Sequence, residues 1–358
     1  MKPKFLTTAI GSMPYESPER AVEVSLSCLD APIWPQLGVF GLREQMEIQY
    51  SEGLPCVVID EEKGRMYFDT SRDYSEDFAA FYDTYMAAMD PDEGNGDVSS
   101  MAISEEFSKG IYALERKLKA DGRDKNKLPW LKVQTTGPCS FALTITDENK
   151  RAIYYNEEFR DVIVKAMAMK CRWQIQKFKQ YAENIICFID EPILSAFGSS
   201  TYVSVQRADV VSYLAEVIDA VHADGGYTGI HCCGNTEWSI LIDAGVDMVN
   251  FDAFEYGETV SLYASHMKEH LSKERMLAWG IVPTSSKVMD QTPETLEKVM
   301  EANMDKLAQV TGLDKKLIAE QALITPSCGT GSLSVAEADK VFPLVKAMSA
   351  HMKAKYGF

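Results

Sequence analysis

Short apolar runs rich in β-branched and aliphatic residues recur along the chain. Each is separated from the next by a stretch in which apolar residues return every three or four positions. That alternation predicts repeated βα units and a parallel sheet. Eight runs qualify: Phe5 to Ile10, Pro55 to Ile59, Leu131 to Thr135, Asn184 to Ile189, Tyr227 to His231, Asp247 to Phe251, Met276 to Ile281, and Ala322 to Thr325. The clearest helical stretch is Glu157 to Tyr181, where Phe159, Ile163, Ala166, Met167, Lys170, Cys171 and Gln174 trace one face. Asp209 to Ala223, Trp238 to Ala244 and Thr292 to Thr311 are others. Eight strands with intervening helices are the number that closes an α/β barrel of the (β/α)8 TIM type. A chain of 358 residues holds one such barrel with insertions, so a single domain spanning 1–358 is expected.

Two connections are too long for simple loops. After the first run, Pro18 to Leu29 and Leu42 to Gly53 read as helices on either side of Ile33, Trp34, Pro35, Gln36 and Leu37. After the second, the chain from Glu61 to Lys127 carries helical patterns at Glu76 to Met89 and Ser100 to Lys119, joined by the acidic turn Asp90 to Asp97. Long loops on a barrel more often wall or cover a binding face than link domains, so both insertions are predicted over the C-terminal face of the sheet.

Composition narrows the partners. With 53 acidic against 36 basic residues the net charge is -17, and no Lys/Arg run offsets it locally. Such a surface repels polyanions, which argues against nucleic acid and anionic membranes. The first residues lack the apolar stretch of a secretory leader, and no run of about 18 apolar residues occurs, so a cytoplasmic location is expected. Eight cysteines in a long, core-rich chain are then mostly reduced, buried thiols.

The ends of the predicted strands carry the chemistry, because active sites of such barrels are built where strands run into βα loops. His231 and Cys233 are two apart at one strand end and can face the same point. Cys328 arrives from the last strand. One imidazole and two thiolates suit zinc, which takes nitrogen and sulfur ligands in a tetrahedron. Asp252 is the candidate fourth ligand, with Glu255 as the alternative, while Cys232 faces the other way by alternation. Asp190 and Glu191 form an acidic pair at a strand end, suited to a substrate ammonium or to acid/base work. Gly11 and Ser12 can offer N–H groups and a hydroxyl to a carboxylate.

Taken together, the strings TTAIGSMP, TGP, IDEP, IHCCGN and TPSCG occur in an order that resembles the C-terminal catalytic barrel of cobalamin-independent methionine synthase. More broadly the chain is similar to the superfamily of uroporphyrinogen decarboxylase and the zinc-dependent corrinoid methyltransferases. WPQL followed by QYSEGLP resembles its short, single-barrel members. The resemblance implies that His231, Cys233 and Cys328 ligate zinc, that Asp190 holds the amino group of homocysteine, and that Ile10, Gly11 and Ser12 bind its carboxylate. It implies a thiol S-methyltransferase of methionine biosynthesis. The family's usual glutamate ligand falls on Asp252. The short members it resembles are without the N-terminal barrel that helps hold polyglutamylated folate, so the donor the resemblance implies is a methylcorrinoid such as methylcobalamin, free or carried on a corrinoid protein, ahead of methylfolate.

Three other readings stand beside this one. They are a methyltransferase for another thiol, a metal-free tetrapyrrole decarboxylase, and a non-catalytic corrinoid-binding protein. Arg20 and Arg43 are too few for a polycarboxylate, and a decarboxylase would leave the cysteines idle.

Overall fold

A computed structural model describes residues 2–89 and 96–358. Residues 90–95, most of the acidic turn at Asp90 to Asp97, lie outside the described residues. Ten strands are formed: β1 (Leu6–Thr7), β2 (Val57–Asp60), β3 (Arg65–Phe68), β4 (Leu128–Thr136), β5 (Thr146–Asp147), β6 (Ala182–Asp190), β7 (Tyr227–Cys232), β8 (Met248–Phe251), β9 (Met276–Val282) and β10 (Ala322–Pro326). Seven make one curled parallel sheet in the order β1-β10-β9-β8-β7-β6-β4, and twelve α-helices accompany the strands among the described residues. None of these helices is long and apolar enough to cross a membrane.

The expected closed eight-stranded barrel is not formed. The run Pro55 to Ile59 leaves the ring and builds a separate sheet, β2 antiparallel to β3 and β3 parallel to β5. The reason lies in its neighbours. The residues Glu61 to Gly64 turn the chain tightly, Gly64 taking a positive φ of 59°, and Arg65 to Phe68 then alternates half-buried and buried positions as a hairpin strand does. Every residue of β2 stays half-exposed, whereas an inner parallel strand is covered on both faces.

The sheet is open between β1 and β4, and the stretch 31–36 lies across that opening. Ala31 N donates to Thr7 O at 2.9 Å, Lys132 N to Pro32 O at 2.8 Å, and Gln36 N to Gly11 O at 3.0 Å. Pro32 and Pro35 lack N–H groups, so this stretch makes only isolated bridges and no regular strand.

Strand alternation separates the two faces of the sheet. Ile186, Phe188, Met248, Met276, Ala278 and Leu323 pack with one another on the concave side. Their neighbours Cys187, Ile189, Val249, Leu277, Trp279 and Ile324 join the large core beneath the helices. The helices of the second insertion pack on this outer helical wall, while Lys109, which opens the second of them, donates its N–H to Glu44 at 2.9 Å. The insertion's helix Ser75–Met89 is tied to Glu157–Phe178 by Tyr82 Oη donating to Asp161 at 2.6 Å. Its helix Lys109–Ala120 meets the same partner through Lys177 and Glu115 at 2.5 Å. Amphipathic helices with an apolar face bury it, and here that face found the wall.

Candidate metal centre

β7 ends at Cys232 and delivers His231 and Cys233 to the rim of the sheet, while the turn after β10 delivers Cys328. The ligand atoms of these three residues all lie within 4.8 Å of one another. Cys232 faces the outer core, as alternation requires, with its sulfur 3.6 Å from Gly234 O. Burial pushes its thiol up to about 12.

His231 is oriented by the next strand. The β7–β8 register sets it opposite Asn250, whose Oδ1 lies 2.5 Å from Nδ1. The Asn250 amide nitrogen donates to Ala278 O at 2.8 Å and to Thr325 Oγ1 at 2.9 Å, so the amide cannot turn over. Its oxygen can only accept; Nδ1 must carry the proton, and Nε2 is left as a bare lone pair. Nε2 is buried and has no partner.

The thiols behave as a coupled pair. The Cys328 thiol and then the His231 imidazole beside it hold Cys233 well below the usual thiol range, while the same contact with Cys233, with burial, pushes Cys328 up. Burial opposes charge on His231, but Cys233 and Asp190 outweigh it and raise its pKa. An orphaned buried imidazole nitrogen and two converging sulfurs, one readily ionised, fit zinc.

Asp252 does not join them. Its Oδ1 accepts from the N–H groups of Phe254 and Glu255, both at 2.9 Å, and burial raises its pKa to about 6. Glu255 is turned outward onto Lys287 at 2.5 Å. The structure therefore gathers three donors.

The acidic pair divides. Glu191 commits both oxygens to the start of the helix Pro138–Thr144, accepting from Cys139 N at 2.9 Å, Ser140 N at 2.8 Å and Ser140 Oγ at 2.7 Å. Gly137 makes the approach feasible, since a Cβ there would lie 2.1 Å from Glu191 Cδ. Burial pushes Glu191 up to about 7, against these donors. Asp190, opposite His231 in the β6–β7 register, has a buried Oδ1 with no partner. Its pKa is raised by burial and held back by Lys132 and His231.

Ser12 lies against the Cys328 turn. Its carbonyl accepts from Thr330 N at 2.8 Å and its Oγ from Gly331 N at 3.2 Å. Ser12 and Cys328 line a cavity of about 510 Å³ together with Gln36, Glu44 and Met46. Ile10 offers its carbonyl to the ammonium of Lys132, and Gly11 packs against Gln134.

Three residues of this region escaped the sequence reading, Asn250, Lys132 and Gln134, and Thr136 entered it only within the string TGP, with no role. A signal existed for each. Asn250 is the polar residue of an otherwise apolar strand, and Lys132, Gln134 and Thr136 recur at period two within a strand that is buried at its C-terminal half.

No protein-family model and no curated protein sequence matches the chain. Among solved structures it is similar to a methyltransferase from Methanosarcina mazei, at 15% identity and a TM-score of 0.51, over 98% of this chain and 92% of that one. It is also similar to a B12-independent methionine synthase from Shewanella sp. W3-18-1 in complex with selenomethionine, at 11% identity and a TM-score of 0.54, over 98% of both chains. At these identities the likeness shows the fold.

Proposed function

We propose that the protein is a zinc-dependent methyltransferase that moves a methyl group to a thiol, with homocysteine as acceptor and methionine as product. The observation that carries this reading is the trio His231, Cys233 and Cys328 beside the unpartnered carboxylate of Asp190. The fold likeness to a methyltransferase and to a methionine synthase supports it.

His231, Cys233 and Cys328 would hold the metal. Zinc bound there supplies one thing, removal of the proton from a coordinating thiol of unperturbed pKa ~8.5 so that the sulfur is nucleophilic at neutral pH. The other tasks fall to this chain. Asn250 keeps the Nε2 lone pair of His231 directed at the site. Asp190 takes the substrate's ammonium, and the Gly11 to Ser12 turn, which adjoins the Cys328 turn, takes its carboxylate.

The donor we favour is a methylcorrinoid presented from the mouth of the sheet, ahead of methylfolate. Exposed apolar side chains occur in several of the loops that follow strand ends, among them Val39, Phe40, Val203, Leu262 and Met289. Val203 is 77% and Leu262 78% exposed, which suits a large apolar or protein-borne donor. The charge of -17 disfavours the polyanionic tail of folate. The decarboxylase reading loses support, since Arg43 is paired with Glu61 and Glu106, and Arg20 with Asp339.

Zinc analysis of the purified protein, followed by methyl transfer from methylcobalamin and from methylfolate to homocysteine, tests this. About one zinc per chain, lost in Cys328→Ser, with methionine formed, is the expected result. Metal-free protein, or zinc-loaded protein that transfers no methyl group from either donor, would refute it.

A further inference from the structure

Beside the metal donors lies a second set of hydrogen-bonding groups that no described residue satisfies. β4 places Lys132, Gln134 and Thr136 on one face. Thr135 turns to the other, its Oγ1 3.6 Å from Met167 Sδ in the helical wall, so Thr136 faces the concave side. The β4–β6 register sets Thr136 against Asp190, and the β6–β7 register sets Asp190 against His231. Thr136 Oγ1 and Asp190 Oδ1 are both buried, and neither has a hydrogen-bond partner. Asp190 is 7% exposed and Thr136 fully enclosed. Two adjacent buried oxygens left unmatched are costly unless a ligand brings the donors.

A buried ammonium lies beneath them. Lys132 is fully buried, its ammonium held by Ile10 O and by Gln134 Oε1 at 3.1 Å, 4.7 Å from the Phe188 ring centre. It lies within Coulombic reach of Asp190. Its donors go to Ile10 and Gln134, and it leaves the oxygens of Thr136 and Asp190 to a donor that the ligand brings.

We propose that Thr136 joins Asp190 in receiving the ammonium group of an α-amino-acid thiol. Thr136 is thereby a specificity-determining residue. The inference rests on the thiol-acceptor reading above.

Titration calorimetry on zinc-loaded protein with homocysteine, mercaptobutyrate and aminopropanethiol tests it without any methyl donor. Homocysteine should bind about tenfold or more tighter than either analogue, as expected when a hydrogen bond to a charged group is gained or lost. Thr136→Val should weaken homocysteine about tenfold and leave mercaptobutyrate within about twofold, while Thr136→Ser keeps the parent affinity. If homocysteine binds but Thr136→Val changes nothing, or weakens both thiols alike, the assignment of Thr136 is overturned and the acceptor reading stands. Equal binding of homocysteine and mercaptobutyrate overturns the ammonium assignment. If no thiol binds the zinc-loaded parent protein, the acceptor reading falls and this inference with it.

Discussion

The amide of Asn250 and the imidazole of His231 face each other across β7 and β8 at 2.5 Å, and only the oxygen of that amide is free to meet the ring. One strand thus decides the tautomer of a side chain on the next. Asn250→Ala should lower zinc affinity about 10- to 100-fold, the range seen when the partner of a ligating histidine is removed. Competition with a chromophoric chelator measures it. Thr325→Val, which loosens the amide without removing its oxygen, should cost less; an affinity unchanged in Asn250→Ala would show that the ring is oriented by something else.

Asp190→Asn should raise the dissociation constant for homocysteine by about one to two orders of magnitude, because a charge-assisted hydrogen bond contributes roughly 1.5 to 3 kcal/mol. It should barely affect a thiol without an amino group. Equal losses with both thiols would mean that Asp190 acts on the metal donors or the fold.

Gly137→Ala forces a methyl group onto Glu191 Cδ at a separation of 2.1 Å. The side chain must withdraw from the N–H groups of Cys139 and Ser140, and overpacking of this kind costs about 1 to 3 kcal/mol. Urea unfolding reads the loss. A variant as stable as the parent would show that Glu191 has room to retreat.

His270 sits away from the metal centre, with Nε2 3.0 Å from Met276 O and Nδ1 unpartnered, and burial pushes its pKa down to about 4. Between about pH 6.5 and pH 4 the unfolded chain binds a proton that the folded one refuses, so this residue's contribution to stability falls as pH falls through that window. From pH 7.5 to pH 5 the loss is roughly 2 kcal/mol. His270→Gln should show an acid destabilisation smaller by about that amount in urea titrations at the two pH values. Parallel pH profiles for parent and variant would place the acid sensitivity elsewhere.

The three metal donors were legible because each stands at a strand end beside a turn, where the local string carries both the ligand and its direction. Thr136 and Asn250 were not, because their roles depend on which strand lies alongside and in what register. Thr136 matters only because Asp190 is beside it, and Asn250 only because His231 is. The misplacement of Pro55 to Ile59 has a related cause. Four apolar residues look alike in an inner strand and in a hairpin, and the deciding feature was the turn that follows them. Residues 31–36 were passed over because two prolines hide an extended segment from any propensity argument.

The hydroxyl of Thr330 reaches back to the carbonyl of Ser12 across 318 positions of sequence. β1 and β10, which flank this contact, pair over a similar separation, whereas β6, β7 and β8 succeed one another along the chain. Pairings of such high contact order are slow to nucleate, since a very long loop must close before they return any energy. His231 and Cys233 can therefore be in place on an early, locally assembled half of the sheet while Cys328 is still adrift. The metal donors come together only when the two ends of the fold meet. Zinc uptake during refolding should thus trail the recovery of most secondary structure, and metal binding reports on the last docking event, not the first.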